Sequence, residues 1–332
     1  MALGITTENL SDAIKTLYER RLLTRALPRL IHGRFGQVAR WKGFGSYEVR
    51  RWNAFDLVNE SLDEGNEPAE TNAPTITVIT MTPAWYGAYV RYTDKMILTS
   101  FDPAISEVSA LLGEQAGLSI DTLVRNSLTD GATTDFAGAA TARGNVDLTN
   151  DIIAFVDIVQ NVAELEAQNA RPVDGPYYIA ICHPHTWATL MQDSTFVTLF
   201  TREGGASLRS GYVGSILNVR FYVSSNAREY VDEGQGSTVD VYDMLFIGRE
   251  AYAVAGLTGL VPNYNVDSGS EQVRGGMTGS KVKSVDIIVK GLGETGFDPL
   301  NRRGTVGWKC THTLNILNAN WIRNLEHAND FS

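Results

Sequence analysis

The longest regular pattern in the chain is an apolar period between residues 102 and 131. Its apolar side chains recur three and four residues apart, which places them on one face of a helix. Asp102 suits the N-cap, because its carboxylate can accept from the free amides of the first turn, and Pro103 suits the first helical position. Gly131 follows the last turn, where a left-handed residue is expected. This helix, called the spine helix below, would span roughly 40 Å. Its predicted apolar stripe comprises Ile105, Val108, Leu111, Leu112, Ala116, Ile120, Leu123, Val124 and Leu128.

Residues 7–32 predict an exposed helical arm. Arg20, Arg21 and Arg25 lie late in the segment, where cations suit the helix dipole, and Pro28 then interrupts the pattern. The arm has little capacity to fold alone, so we expect it to pack on the rest of its own chain or on a neighbour. The positions that share its apolar face are Leu10, Ile14, Leu17, Tyr18 and Leu22.

Residues 43–95 predict a long hairpin. One strand is expected in residues 45–52 and a second in residues 75–96, where Pro83 and Gly87 mark a kink or a bulge. The stretch between them is acidic and rich in turn residues. Because an isolated two-stranded hairpin is marginal in water, we expect it to lie against another surface, for which an adjacent subunit is the natural candidate. The alternative is a mobile surface hairpin or a substrate lid.

A second amphipathic helix is predicted from Asn150, which would cap it. The stretch before it, residues 130–145, is small and polar and predicts a loop or a weak strand, while residues 171–176, RPVDGP, end the helical pattern. The apolar stripe of this helix comprises Ile152, Ile153, Val156, Val159, Val162, Ala163 and Leu165.

From Tyr177 onward, short apolar strands mix with helical segments. YYIAIC predicts a buried strand, after which His183 is expected to cap the next helix and Pro184 to start it. The last segment is rich in β-forming residues. Further strands are predicted in GSILNVRFYVSSNA, VYDMLFIG, AYAVAGL and SVDIIVKGLG.

Length and charge narrow the choice of function. A chain of 332 residues has room for one large or two ordinary domains. Its formal net charge of -10 argues against a protein that grips nucleic acid regardless of sequence, because such a protein needs a basic face. A protein that encloses nucleic acid without gripping it is compatible with this charge.

The sequence predicts a protein without a membrane span. It has no run of eighteen or more apolar residues, and its first residues lack the basic start and apolar core of a signal peptide. Cys182 and Cys310 lie far apart in apolar segments and are expected to be buried, reduced thiols. We therefore expect a soluble product of the cytoplasm.

No recognisable catalytic set stands in the chain. His183 and His185 could share a metal, but no further ligands accompany them at a suitable spacing, and capping and packing explain them. The glycine-rich stretch of residues 203–214 precedes a strand instead of opening a helix, so it does not predict a phosphate site. GxSxG, Walker, HExxH and CxxC motifs are absent from the sequence. We predict no catalytic residue, no cofactor and no metal.

Charges on the hairpin are the candidate functional residues. Opposite charges on an extended arm can set the register between subunits and suppress wrong pairings, although ordinary solvated surface charge explains each residue as well. The candidate contacts between subunits are Arg50 and Arg51 on the first strand and Glu60, Asp63, Glu64, Glu67 and Glu70 near the tip.

The order of these elements and several local phrases resemble the major capsid proteins of tailed bacteriophages, which have the Hong Kong 97-like fold. The phrases resemble most the branch typified by the podovirus N-four coat protein, and the resemblance runs over nearly the whole chain. They are ERRLLTRALPRLIHGRFGQ, the junction of ITVITMTPAWYGAYVRYTDKM with DPAISEVSALLGEQAGLSIDTL, YYIAICHPH, VGSILNVRFYVSSNA, DPLNRRGTVGWK and LNANWIRNLEHA.

The resemblance implies an α+β fold with a defined division of the chain. The arm and the hairpin, the E-loop of that family, would reach over neighbours, and the spine helix would lie along the shell wall with a polar face opposite Ile105, Val108 and Leu112. The implied parts are an N-terminal arm (1–42), the E-loop hairpin (43–95), a peripheral domain with the spine helix (96–147), an axial domain (148–260) and a return to the peripheral domain (261–332).

The resemblance also implies the function. The chain would be a non-enzymatic major capsid protein that assembles with itself, in pentamers and hexamers, into an icosahedral shell around the double-stranded DNA genome of a phage. Expected partners are a separate scaffold protein, since the arm starts almost at once, a portal protein and decoration proteins. DNA would be enclosed without sequence-specific binding, no membrane would be involved, and the protein would be made in the bacterial cytoplasm and end in the virion capsid.

One departure from some relatives concerns covalent cross-linking. Those relatives join a hairpin lysine to an asparagine of a neighbour, but this chain has no lysine between Gly43 and Asp94. We therefore expect a shell held together by noncovalent contacts or by decoration proteins. Two other functions are kept as alternatives: an encapsulin-like compartment shell, and an α/β enzyme with the hairpin as its lid.

Overall fold

The computed structural model describes residues 31–41, 46–53, 55, 65, 73–99, 104–202, 212–216, 218–257, 286–292 and 300–331. These residues contain five α-helices and fourteen strands. The helices are α1 (Asp94–Thr99), α2 (Ala104–Gly131), α3 (Phe155–Ala167), α4 (Pro184–Leu190) and α5 (Ser194–Arg202). The strands are β1 (Gln37–Trp41), β2 (Tyr47–Trp52), β3 (Ile76–Met81), β4 (Ala84–Thr93), β5 (Thr133–Phe136), β6 (Tyr178–Cys182), β7 (Tyr212–Ile216), β8 (Val219–Val223), β9 (Glu229–Tyr230), β10 (Val241–Ile247), β11 (Tyr252–Leu257), β12 (Asp286–Lys290), β13 (Arg303–Ile316) and β14 (Ile322–His327).

The predicted spine helix is α2, and most of its predicted stripe is buried. Ala116, Val124 and Leu128 are almost fully buried. The prediction is wrong for Leu111, which is 58% exposed. Its predicted cap, Asp102 followed by Pro103, lies outside the described residues.

The predicted role of Gly131 is wrong. Gly131 is the last residue of the helix and does not have a left-handed backbone. A Cβ at this position would run into the side chain of Ile316 on β13. The glycine therefore leaves room for the end of the Ile316 side chain, which would have to shift if a Cβ were present.

The first sheet has the strand order β1-β11-β13-β12, and β4 also pairs with β13. β4 and β13 are antiparallel over ten residue pairs, from Thr93 opposite Arg303 to Ala84 opposite His312. This sheet packs on the first half of the spine helix through an apolar cluster. The cluster includes Tyr92, Leu112, Ala116, Ile120, Val306, Trp308 and Cys310.

The predicted hairpin pairing is confirmed for its base. β2 and β3 are antiparallel, from Tyr47 opposite Met81 to Trp52 opposite Ile76. A break at Thr82 and Pro83 then separates β3 from β4, as the kink at the proline predicts.

Gly87 is neither a kink nor a bulge, contrary to the prediction. Its register opposite Lys309 is continuous. A Cβ at Gly87 would lie 2.6 Å from the backbone oxygen of Trp308, so the glycine permits the close approach of β4 to β13.

The second sheet has the order β5-β14-β10-β6-β8-β7, with β9 added to β10. Its central strands β6 and β10 are buried along their whole length, which confirms the strands predicted from YYIAIC and VYDMLFIG. One face packs on α3 and α4 through Ile158, Leu165 and Leu190. The other packs on the second half of the spine helix through Val124 and Leu128. The spine helix therefore contacts both sheets.

The helix predicted from Asn150 begins five residues later, at Phe155, so the predicted cap is wrong. The carboxylate of Asp151 accepts from the amides of Ala139 and Ala140, and Ile152 forms a β-bridge with Ala328. These tertiary contacts hold the chain extended where the periodicity alone predicted a helix. The predicted stripe members Val156 and Val159 are exposed, whereas Ile158, Val162 and Leu165 are buried.

The division into five parts stays a prediction. Several strands pair across its boundaries. Among them, β11, from the part predicted as axial, joins the first sheet, and β14, from the predicted peripheral return, joins the second sheet. The chain therefore passes between the sheets more than once.

Candidate assembly surfaces

The base of the hairpin has an anchored face and a solvent-facing face. Tyr47, Val49 and Met81 pack with Ala253 and Ala255 of β11. Side chains alternate along a strand, so the intervening residues point away from this contact.

The solvent-facing side of the hairpin carries large apolar side chains. Trp52, which is opposite Ile76, is 64% exposed, and Ile76 and Val78 are exposed as well. Phe55, which follows the end of β2, is also exposed. We call Trp52, Ile76 and Val78 the outer hairpin patch. Contiguous exposed apolar groups of this kind mark surfaces that another molecule covers. Sequence reasoning identified the hairpin but not these residues, although the alternation of residues 47–52 carries the signal.

The two predicted arginine contacts have different surroundings. Arg51 donates from Nη1 to the backbone oxygen of Leu317 in its own chain, at 3.1 Å. Arg50 points to the opposite side, where its guanidinium lies 3.6 Å from Glu48 and both side chains are largely exposed. The predicted acidic contacts Glu60, Asp63, Glu64, Glu67 and Glu70 lie outside the described residues, so all seven contacts stay predictions.

One face of the first sheet is aromatic and basic. On β4, Trp85 and Tyr89 are exposed, and the guanidinium of Arg91 lies 5.6 Å from the centroid of the Tyr89 ring. Gly307 is opposite Tyr89, and a Cβ there would lie 2.7 Å from the Tyr89 Cβ. Lys309 of β13 is directly opposite Gly87, which lies two residues from both Trp85 and Tyr89 on β4. Because opposed antiparallel residues share a face, Lys309 stands on the same side of the sheet as these aromatic residues. Such a face suits an acidic partner surface.

The spine helix also exposes two leucines. Leu111 is 58% exposed and Leu118 is 43% exposed. They are seven residues apart and so lie on the same side of the helix. We call them the spine leucine pair. The sequence shows this spacing, but it does not show which apolar positions the sheets cover.

A buried carboxylate joins the spine helix to residues near the N-terminus. Asp121 Oδ1 accepts from the backbone N–H of Ile31 and of His32, both at 2.8 Å. Asp121 Oδ2 lies 2.8 Å from His32 Nδ1 and accepts from Asn226 Nδ2 at 2.9 Å. The hydroxyl of Tyr252 donates to the His32 backbone oxygen. Burial pushes the pKa of Asp121 upward, but its hydrogen bonds with His32 and Asn226 outweigh burial and lower the pKa.

Two acidic side chains are buried side by side in the second sheet. Asp243 on β10 is directly opposite Glu326 on β14. Arg143 binds Glu326 through two hydrogen bonds of 2.8 and 2.6 Å, and it also donates to Glu233 at 2.8 Å. Burial, and then the charge of Glu326, raise the pKa of Asp243 to about 7. Below about pH 7, the protonated Asp243 carboxyl avoids a second buried negative charge beside Glu326.

The structure confirms the predicted roles of His183 and Pro184 at the start of α4. His183 caps α4 by accepting from the His185 amide, and Pro184 is the first helical residue. His185 Nδ1 lies 3.0 Å from the Tyr242 hydroxyl.

Among the described residues, no group of three or more His, Cys, Asp or Glu side chains could hold a metal ion. In the same part of the chain, no helix has the length and apolarity to cross a membrane.

Comparison with solved structures shows which proteins share this fold. The capsid protein of Ralstonia phage GP4 is 15% identical with a TM-score of 0.61, over 86% of this chain and 84% of that one. The capsid of cyanophage P-SCSP1u is 12% identical with a TM-score of 0.60, over 91% and 89%. The capsid of cyanophage Pam1 is 13% identical with a TM-score of 0.59, over 93% of both chains. These likenesses confirm the expected capsid fold. A search of curated protein sequences gave no significant match.

A family model identifies the chain more directly than these distant likenesses. The model of the phage capsid protein family matches residues 77–322, well over half of the chain. The match confirms the resemblance and the prediction of a non-enzymatic shell protein, and it favours neither alternative function. The assignment to the branch typified by the podovirus N-four coat protein stays a prediction. The chain therefore belongs to the phage capsid protein family and is a structural protein of the virion shell.

Proposed function

We propose that many copies of this chain form pentamers and hexamers of a closed icosahedral shell around a double-stranded DNA genome. The observation that carries this proposal is the outer hairpin patch, whose apolar side chains face solvent in a single chain. A two-stranded sheet gains little stability alone, and burying one large apolar side chain contributes about 1.5–3 kcal/mol. In a shell, each copy would supply the covering surface for its neighbour.

The predicted charged contacts fit the same arrangement. Arg50 shares the outer side of the hairpin with the patch, whereas Arg51 already donates to Leu317 of its own chain, so Arg50 is the better candidate of the two. The acids at positions 60, 63, 64, 67 and 70 would meet a basic surface of a neighbour. The face formed by Trp85, Tyr89, Arg91 and Lys309 has the required charge and exposed aromatic rings.

The remaining partners rest on the family resemblance. They are a separate scaffold protein, a portal protein and decoration proteins. Assembly would take place in the cytoplasm of the bacterial host. The net charge of -10 supports a shell that encloses DNA without binding it tightly, because a chain that is acidic as a whole repels the DNA phosphates.

Electron microscopy of the purified protein tests the proposal. The full chain should form closed shells, and a variant in which a short turn replaces residues 57–72 should stay as soluble subunits with an unchanged circular dichroism spectrum. A matched control, Thr80→Ser, alters a polar position on the same outer side and should form shells. Normal shells from the shortened hairpin would contradict the proposed role of the hairpin. A full chain that stays monomeric even when it is co-expressed with a scaffold protein would contradict the shell itself.

A further inference from the structure

Three histidines meet the last described residues at one corner of the second sheet. His183 and His185 stand at the start of α4, and the centroids of their rings lie 4.6 Å apart. His327 is fully buried on β14. We propose that this corner is an acid-sensitive latch, in which protonation of His183 uncaps α4 and frees residues 329–331, called the latch segment below. This inference goes beyond shell assembly, because it concerns contacts within one chain.

The N-cap of α4 depends on a neutral imidazole. His183 Nδ1 accepts from the backbone N–H of His185 at 3.2 Å. A protonated imidazole carries a hydrogen on both ring nitrogens and cannot accept, and its positive charge is unfavourable at a helix N-terminus. Because α4 has only seven residues, from Pro184 to Leu190, it depends on its cap and its packing more than a long helix does.

The latch segment contacts side chains of α4 through two hydrogen bonds and one ring stack. Both hydrogen bonds are at the long end of the usual range, and the stacked ring of Phe331 is 54% exposed. Contacts of this kind hold the segment only while α4 keeps its shape. The three contacts are Asn329 Nδ2 to Thr186 Oγ1 at 3.3 Å, the Asp330 N–H to Thr189 Oγ1 at 3.4 Å, and the Phe331 ring to the His185 ring at 5.1 Å between centroids.

His327 connects the same contacts to the sheet. Its Nδ1 lies 3.1 Å from the backbone oxygen of Leu325, which can only accept, so Nδ1 carries the hydrogen. Nε2 therefore accepts from the Thr186 hydroxyl at 2.9 Å, and protonation of Nε2 would remove this acceptor. Burial lowers the pKa of His327 to about 4, so this histidine titrates only in strong acid.

The surroundings of His183 determine the direction of its response. Burial and the nearby His185 lower the pKa of His183 below its ordinary value of 6.5, and the charge of Glu229 opposes them. The opened corner therefore binds a proton more readily than the closed one. The closed corner is fully stable above about pH 6.5 and loses stability as pH falls below that value. The titratable groups around His183 are His185 on α4, Glu229 on β9, Tyr242 on β10 and His327 on β14.

Hydrogen–deuterium exchange of the full chain tests the inference. From about pH 7.5 to about pH 5, the protection factors of α4 and of the latch segment, corrected for intrinsic exchange, should fall about fivefold or more, which is what loss of an N-cap typically costs. Residues 107–118 of the spine helix, which packs on the first sheet, should keep their protection. Unchanged protection of α4, or an equal loss in the spine helix, would overturn the inference.

The variant His183→Asn separates the cap from a general effect of acid. Asparagine caps helices well and does not titrate, so α4 and the latch segment should stay protected at both pH values. A loss of protection as large as in the wild type would show that His183 is not the trigger and would overturn the inference.

A second variant, Phe331→Ala, separates the cap from the ring stack. It removes the stack on His185 and leaves the cap of α4 in place. The latch segment should be less protected at both pH values, and α4 should still lose protection in acid. A pH-independent α4 in this variant would overturn the inference, because the stack and not the cap would then be the trigger. These measurements follow a single chain and leave the test of shell assembly by microscopy unaffected.

Discussion

Asp243 and Glu326 lie directly opposite each other on neighbouring antiparallel strands, and both are almost fully buried. Like charges in this position repel strongly, so the pair tolerates only one full negative charge. Arg143 binds the carboxylate of Glu326, while Asp243 has its pKa raised to about 7 by burial and by Glu326. The pair therefore couples the stability of the second sheet to pH.

The variant Asp243→Asn should remove this coupling. The pKa of Asp243 lies above its ordinary value of 3.8, so the folded state holds a proton that the unfolded chain releases between about pH 4 and pH 7. The stability contribution is complete below pH 4 and is lost as pH rises through 7, with a slope of up to about 1.4 kcal/mol per pH unit. Urea unfolding at several pH values should show this slope in the wild type and a smaller one in the variant. Asp232→Asn, which removes an exposed charge, is the control. Equal slopes in wild type and Asp243→Asn would contradict the assignment.

Removal of Arg143 should leave Glu326 buried without its partner. We expect Arg143→Met to lower the free energy of unfolding by up to about 3 kcal/mol, because an unpaired buried charge is costly. Arg302→Met provides the comparison, since Arg302 and its carboxylate partner Asp94 are both substantially exposed, and its loss should cost about 1 kcal/mol or less. Chemical denaturation of both variants measures the difference, and equal losses would show that burial of Glu326 does not decide the effect.

Parts of this architecture could be predicted from the sequence, because local signals determine them. The spine helix, the capped start of α4 at His183 and the buried strands around Ile179 and Phe246 all follow from periodicity or from the amino-acid type. The parallel pairing of β1 with β11 joins residues that are distant in the sequence, and no local pattern reveals it.

The errors also have physical causes. Asn150 does not start a helix because Asp151 binds amides of a preceding loop. Leu111 is exposed because the sheets cover a narrower part of the helix than its apolar residues occupy. Within the candidate assembly surfaces, the alternation of residues 47–52 predicted a strand, but which side would be covered depends on the contact with Ala253 and Ala255.

The Asp121 carboxylate should be essential for the position of the segment that begins at Ile31. Asp121→Ala leaves the amides of Ile31 and His32 and the side chain of Asn226 without their acceptor in a buried site. Each orphaned donor costs about 1–3 kcal/mol, so we expect a loss of several kcal/mol in the free energy of unfolding. The neighbouring variant Thr122→Ala removes one partly buried hydrogen bond and should cost about 1 kcal/mol. Similar unfolding midpoints for the two variants would contradict this role.

The outer hairpin patch should govern assembly and not folding. Trp52→Ser should leave the circular dichroism spectrum and unfolding midpoint close to those of the wild type, because this side chain is mostly exposed in one chain. The protein concentration at which shells appear should rise roughly tenfold or more, since a contact of about 1.5–3 kcal/mol is lost at every copy. Light scattering over a concentration series measures this threshold, with Thr80→Ser as the polar control. A threshold equal to the wild-type value would exclude the patch from the interface.

Adjacent leucines on the spine helix provide a sharp test of how the helix packs. Leu112 is 5% exposed within the cluster formed with Tyr92 and Trp308, whereas Leu111 is 58% exposed. Leu112→Asp places an unpaired charge in a packed contact and should unfold the chain or lower its stability by more than about 3 kcal/mol. Leu111→Asp makes the same chemical change one residue away and should leave the fold intact, because water still reaches the carboxylate. Thermal unfolding and circular dichroism of both variants compare them directly. If Leu112→Asp folds as well as Leu111→Asp, the spine helix does not pack against β4 and β13 through the face described above.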